Sequence, residues 1–499
     1  MSTPPATPVE PVAPVDVLDS AEAGGRAIRG SAWRTGAYGV SLLLSLVSVP
    51  FVIRHLGVVD YGYYLTVSSI VFIIGGVTEA GLTNLGIREV SVLDGAARDA
   101  FLRNLVGLRF VLTTVGVLLA TLLVWATGAE HQVVIGTLIA GLALLISLTQ
   151  STYMVPLNAQ LRLGWVSVLD VLRQATLSSL FIVFVIAGAG LIAFFWAGVI
   201  SAVVMIAATL LLVRRHASLR PAFDLATWKR VLRETLPYAA AAAVGLVYFR
   251  IAVILMSYVA SKHETGIFSA AFRIVEVVGA IPWVLVSSAF PILARAARDD
   301  EERLGYALQR LFEMSLILGA LIALGLAVGA PFAISVVAGH GFAESVPVLR
   351  LQALALVTSF LLSTWNFALL SLKLYSDILW ANLLAAVVAI AGTLALAPPL
   401  GAKGAALATV GAEAVLAVTS LMLVRRARPA LSPNLRVVPK VLLAGAVSVA
   451  VALAVPLPAV VLAILSCGAY GAMILALGAL PPELFDALRG RSPLADDGR

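Results

Sequence analysis

Gly190–Val213 reads GLIAFFWAGVISAVVMIAATLLLV and is followed at once by Arg214-Arg215. No side chain in that run carries a charge. As an α-helix it would be about 36 Å long, enough to cross a hydrocarbon core of ~30 Å. A helix is required because the bilayer interior offers no water to the backbone N–H and C=O groups. The same reading applies to about fourteen stretches: 32–54, 62–84, 104–127, 131–152, 166–188, 190–213, 235–258, 266–290, 308–330, 345–369, 374–398, 402–424, 437–456 and 457–479. The last two are divided by Pro456-Leu457-Pro458. With 61% hydrophobic and 12% charged residues, the composition excludes a soluble domain. The expected fold class is an all-α, polytopic membrane protein.

The formal charge of +7 is not a nucleic-acid signal, because the basic residues gather in alternate loops. One set of loops holds Arg88, Arg98 and Arg103; Arg162; Arg214 to Arg233; Arg295 to Arg303; Lys373; and Arg425 to Lys440. The opposite side holds Arg54, Lys262, Lys403 and Arg350. The positive-inside rule then places both termini in the cytosol of a bacterial inner (plasma) membrane. Residues 1–30, Pro-rich and carrying Glu10, Asp16, Asp19 and Glu22, read as a disordered cytosolic tail without a signal peptide. A single cysteine, Cys467, excludes intrachain disulfides and thiolate clusters as organising features.

The run that ends in Arg214-Arg215 has an echo. Leu210-Leu211-Leu212-Val213-Arg214-Arg215 matches Leu421-Met422-Leu423-Val424-Arg425-Arg426, and Gln160-Leu161-Arg162-Leu163 matches Ser371-Leu372-Lys373-Leu374 at the same offset. Asp60-Tyr61-Gly62-Tyr63-Tyr64 matches Glu264-Thr265-Gly266-Ile267-Phe268 at nearly that offset. Six crossings per unit give both copies the same orientation, so the expectation is two parallel six-helix bundles around a central cavity. They occupy residues 31–215 and 237–426, and helices 13 and 14 (437–480) and a cytosolic tail (481–499) lie outside the repeat. Residues 216–236 read as a basic amphipathic linker. Leu225, Trp228, Val231 and Leu232 share a face beside Lys229, Arg230 and Arg233, which suits anionic membrane lipids; the alternative is a solvated linker helix.

Arg54-His55-Leu56-Gly57 with Asp60-Tyr61-Gly62-Tyr63 resembles the start of polysaccharide-exporting flippases of the multidrug/oligosaccharidyl-lipid/polysaccharide (MOP) exporter superfamily. Gly81-Leu82, Arg88-Glu89-Val90, Gly266 to Arg273 and Phe290-Pro291 are similar to the same family. The resemblance covers roughly residues 31–480. It implies translocation of a polyprenyl-diphosphate-linked oligosaccharide by alternating access, with a polysaccharide polymerase and glycosyltransferases as candidate partners. One departure stands out. Where many relatives carry an acidic residue on helix seven, this chain has Ala252.

An ionisable group at the bilayer centre costs ~2.5–3.5 kcal/mol on insertion scales, so each one needs a reason. At ~1.5 Å per residue, Arg250 lies roughly 12 Å, Arg273 roughly 10 Å and Glu276 roughly 15 Å below the outer face. Two arginines and one carboxylate at similar depth form a net positive candidate substrate site, suited to the oxygens of a lipid diphosphate. The alternative is structural: Arg273 and Glu276 pair at i, i+3, and Arg250 snorkels outward. Arg34 and Arg109, within about two turns of the inner face, are candidates for inner-face capture of substrate or for snorkelling. Asp170 and Arg173 read as a second structural pair, and Glu79 and Glu413 as candidate proton carriers.

Competing readings are a multidrug or cation exporter of the same superfamily and a membrane glycosyl polymerase or ligase. A basic cavity disfavours the first. Short outer loops disfavour the second, the longest being about Pro331–Glu344, with His340 and Glu344 as its ionisable groups. No triad, phosphate-cradling glycine loop or metal motif is evident, so neither catalytic residues nor a metal or cofactor are expected.

Overall fold

The computed structural model describes residues 23–480, apart from residues 80, 161, 214–219, 283–285, 287–292, 294, 298 and 299. The expected tail 481–499, the first 22 residues of the expected tail 1–30, Arg214-Arg215 and Phe290-Pro291 lie outside the described residues. Residues 23–30, read as tail, already belong to the first helix. All regular structure among the described residues is helical. In chain order the helices are α1 (Ala23–Glu79), α2 (Leu82–Val92), α3 (Gly95–Ala126), α4 (His131–Tyr153), α5 (Val155–Ala159), α6 (Leu163–Ile186) and α7 (Leu191–Val213). There follow α8 (Leu225–Val259), α9 (Lys262–Val278), α10 (Glu301–Val337), α11 (Ser345–Ser371), α12 (Tyr375–Ala427), α13 (Val437–Ala454) and α14 (Ala459–Ala476).

Eleven helices among the described residues are long and apolar enough to cross a membrane. Two of them are too long for one crossing. The 57 residues of α1 would span about 85 Å if straight, nearly three times the ~30 Å core. It breaks instead at Gly57, where φ is +71°, in the left-handed region that side chains with a Cβ avoid. The 53-residue α12 breaks in the same way at Gly401, with φ +59°, just after Pro398-Pro399. Beyond that break the Glu264 carboxylate accepts a 2.6 Å hydrogen bond from the Ala402 N–H. It thereby caps the first turn of the following helical segment, whose amides would otherwise lack partners. Large apolar side chains such as Leu118, Leu119, Leu122 and Leu123 on α3 point outward, as contact with lipid requires.

The two motifs read as repeat equivalents meet face to face. A Cβ on Gly62 would lie 3.2 Å from the Gly266 Cα, and one on Gly266 would lie 1.9 Å from the Val58 carbonyl oxygen. Glycine at 266 is therefore what allows α1 and α9 to approach this closely. Around that contact a single buried cluster joins both halves, drawing on Ile53, Tyr61 and Leu65 of α1, Phe268 of α9, Ile334 of α10 and Ala402 of α12. At the opposite, arginine-rich end the clusters are separate. One gathers Leu82, Leu105, Val155 and Val231; the other gathers Leu304, Leu369 and Val424. There the start of α8 joins the first of these clusters through Val231. The largest of the buried clusters therefore lies at the Gly57 and Gly401 end. α13 and α14 pack against α10, where the Tyr470 hydroxyl donates to the Ile317 carbonyl at 3.1 Å.

The segment read as an amphipathic linker is continuous with the next crossing, since α8 runs from Leu225 to Val259. Its Val231, Trp228 and Leu232 pack on α2, α3 and α5 rather than facing outward. The Trp228 indole donates to the Asn104 carbonyl at 3.1 Å. Leu225, at 77% exposure, is the member of that apolar face left uncovered.

Candidate functional site

α8 and α9 are joined at Ala260-Ser261, and Ser261 caps α9 by accepting from the Glu264 N–H at 3.2 Å. The tight connection sets the helices side by side, so Arg250 and the pair Arg273 and Glu276 reach the same level from opposite chain directions. The structure brings all three together. Glu276 bridges the arginines: one carboxylate oxygen accepts from Arg250 Nη2, and the other from Arg273 Nη1 at 2.8 Å. Formal charges leave the cluster one unit positive. The i, i+3 pair expected on structural grounds is thus present, but Arg250 does not snorkel. It is 5% exposed.

The Arg250 guanidinium lies 4.5 Å from the centroid of the Phe72 ring, with Phe249 and Phe272 at 5.3 and 5.5 Å. Desolvated cation–π contacts of this kind contribute up to about 2 kcal/mol. Phe72 comes from α1, so the first half supplies a wall to a charge held by the second. Arg250 Nε and Nη1 are buried and find no hydrogen-bond partner in the protein. A buried unpaired donor loses its hydration without compensation, about 1–3 kcal/mol, and more on a charged group. Two such donors on one guanidinium, beside the second arginine, suit a multiply charged oxyanion, for which planar forks are matched.

The inner-face candidates separate. Arg34 is exposed. Arg109 corrects the snorkelling expectation, being 0% exposed. Its Nη1 pairs with Glu79 Oε2 at 2.7 Å and donates to Ser151 Oγ at 2.7 Å, and its Nη2 donates to Thr83 Oγ1 at 3.2 Å. The physical reason is that α1, α2 and α4 supply the carboxylate and hydroxyls that water would have offered. Asp170 and Arg173 are not among the ion pairs of the described residues. Glu413, on α12, accepts from Ser359 Oγ at 3.2 Å. Sequence reasoning missed the Arg109–Glu79 pair and Phe72. The first joins residues 30 positions apart on different helices, and the second is one more apolar residue in an apolar run.

Beside Phe72 lies an apolar cavity of about 520 Å³, walled by Phe181, Phe194 and Phe195 and reaching Glu79.

The architecture has known counterparts. The lipid II flippase MurJ in an inward closed conformation aligns with TM-score 0.74 at 15% identity, over 92% of this chain and 99% of that one. An inward-facing multidrug resistance MATE family transporter of the MOP superfamily gives TM-score 0.60 at 16% identity, over 80% and 98%. A MOP superfamily transporter from Pyrococcus furiosus gives 0.53 at 16% identity, over 82% and 96%. At such identities the likeness establishes the fold. No curated protein matches the chain by sequence. Residues 27–297, more than half of the chain, match the polysaccharide biosynthesis protein family, and the chain belongs to that family, built on the MOP transporter fold.

Proposed function

We propose that this protein is a flippase that moves a polyprenyl-diphosphate-linked oligosaccharide across the bacterial inner membrane by alternating access of two bundles. Arg250 and Arg273 bind the diphosphate and Glu276 orients them. The observation that carries the reading is the buried, net positive cluster in which Arg250 keeps two donor nitrogens without protein partners. The names of the family and of the lipid II flippase agree with a lipid-linked saccharide as cargo. In this reading both termini face the cytosol, the Gly57 and Gly401 end faces outward, and the protein carries out transport without catalytic chemistry. Polysaccharide polymerase and glycosyltransferase partners would consume and supply the cargo. Export of a cationic drug, as in the MATE branch, fits a positive site poorly, since like charges repel.

The test is lipid-linked saccharide sidedness in cells carrying Arg250→Ala, Arg273→Ala at normal membrane abundance. Substrate accumulates on the cytosolic leaflet, severely in the double variant and partly in Arg250→Lys, which keeps the charge and loses the fork. Full transport by the double variant overturns the site.

A further inference from the structure

The cavity beside Phe72 has the size of a ligand site rather than a packing void, since ligand pockets run about 300–1,000 Å³ and interior voids seldom exceed a water. Its floor is made by small residues. They are Gly75 and Gly76 on α1, against which Leu144 and Leu246 pack, Ala140 and Ala143 on α4, and Gly198 on α7. Aromatic rings from α6 and α7 close its sides. The polar groups in its lining are the Tyr64 and Ser68 hydroxyls and the Glu79 carboxylate, and Glu79 is already paired with Arg109 at 2.7 Å.

The cavity and the arginine cluster share a wall. Phe72 lines the cavity and also lies beneath the Arg250 guanidinium, 4.5 Å from its ring centroid. Leu246, which also lines the cavity, lies one turn from Arg250 on the same face of α8. A molecule held by its anionic end at Arg250 therefore has an apolar channel beside that end. Along α1 the lining residues recur from Tyr64 to Glu79, about 22 Å of helix, with Phe72 near the middle. A saccharide would bury hydroxyl groups against this wall without partners, whereas a branched hydrocarbon would lose nothing.

We infer that this cavity binds the isoprenoid chain of the carrier lipid, at its diphosphate-proximal end, while the diphosphate occupies Arg250 and Arg273. The inference rests on the diphosphate reading of that cluster. It assigns the two halves different ends of one ligand, the second half holding the charge and the first half the hydrocarbon next to it.

The experiment uses the full-length protein in nanodiscs with two probes, inorganic diphosphate and farnesyl diphosphate bearing a diazirine at its far end. Burying even two methylene groups is worth about tenfold in affinity, so farnesyl diphosphate binds at least about tenfold more tightly than inorganic diphosphate. The photolabel falls on α4, α6 and α7 around Ala143, Phe181 and Phe195. Filling the cavity with Ala143→Phe, Gly198→Leu removes the chain-dependent increment and leaves inorganic diphosphate affinity unchanged. A Cβ on Gly198 meets the Ala143 Cβ at an ordinary 3.4 Å, with no backbone atom in its way, and both residues line the cavity. If that variant fails to fold, the position of the label in the unmodified protein decides. Labelling confined to lipid-facing residues, or an increment that survives cavity filling, overturns the inference. So does cavity labelling that persists undiminished in Arg250→Ala, Arg273→Ala, which marks a general pocket for bilayer acyl chains. Absence of inorganic diphosphate binding instead overturns the reading of the arginine cluster itself.

Discussion

Arg109 and Arg250 are the same residue type in the same kind of place, buried inside apolar helices beside a carboxylate, and they are satisfied to different degrees. Arg109 has Glu79, Ser151 and Thr83 on its two terminal nitrogens and leaves only Nε unpaired. Arg250 shares one carboxylate with a second arginine and leaves Nε and Nη1 unpaired. One cluster is neutral in formal charge and drawn entirely from the first half. The other is positive and lies where a ring from the opposite half meets it. The difference teaches that burial of a charge in a membrane does not by itself mark a site. What distinguishes the candidate site is the excess of donors over partners.

The largest effect should follow from breaking the satisfied cluster. Removing one partner of a buried pair strands the other and costs about 3–5 kcal/mol. Arg109→Ala should therefore lower the midpoint of thermal unfolding in detergent sharply and reduce membrane abundance, with Arg109→Met, Glu79→Leu recovering most of the loss. Arg250→Ala removes an arginine that is already under-satisfied, and Glu276 retains Arg273. Its unfolding midpoint should fall by much less, and the defect should appear in transport. Equal destabilisation by the two alanine variants would erase the distinction between the clusters.

A smaller effect sharpens it. Glu276 occupies donors that a diphosphate would use, so Glu276→Gln should raise affinity for inorganic diphosphate several-fold, as measured by calorimetry, while slowing release. A charge-assisted bond is worth about 1.5–3 kcal/mol, and the loss of a competing carboxylate returns only part of that. Weaker binding in Glu276→Gln would mean that orientation of the arginines by the carboxylate outweighs its competition for their donors, and Arg250 would then resemble Arg109.

Much of this was legible in the sequence because membranes make charges conspicuous. Arg250, Arg273 and Glu276 stand out from apolar runs, and a fixed rise per residue gives their depths without any knowledge of packing. The MOP fold was legible from the apolar spans, the echo of Leu210–Arg215 at Leu421–Arg426, and the Asp60-Tyr61-Gly62 and Glu264-Thr265-Gly266 motifs. The motifs carry signal because their glycines touch. The rest depends on contacts between helices. Nothing in local spacing ties Arg109 to Glu79, so depth alone suggested snorkelling. Phe72, Gly75 and Gly198 are ordinary members of apolar helices until α1, α4, α6 and α7 assemble around them. The amphipathic face at Trp228 was legible as a face, but not its partner: lipid and the α2–α3 surface make the same demand on sequence.

That last contact gives the smallest expected effect, and it joins the helices that carry the two arginines. Asp224 caps α8, its carboxylate accepting from the Thr227 hydroxyl at 2.5 Å and from the Ala226 and Thr227 N–H groups at 3.1 Å. Its own N–H donates to Asn104 Oδ1 on α3 at 2.9 Å, five residues before Arg109. The Thr227 hydroxyl and then the two amides hold the Asp224 carboxyl below the usual carboxylate range, against the opposing effect of desolvation. A depressed value in the folded protein means that the stabilisation is complete above the unfolded value of about 3.9 and is lost as pH falls through the lower folded one. With the other tryptophans replaced, Trp228 emission should therefore stay constant from pH 7 to about 4 and shift only below that, as the start of α8 loosens from α3. Asp224→Asn keeps an acceptor that does not titrate, so its emission should remain flat through the same range. A transition above pH 5 in the unmodified protein would show that another group governs this contact. A shift that also changed diphosphate binding would mean that docking of α8 on α3 sets the position of Arg250, and the two arginine clusters would no longer be independent.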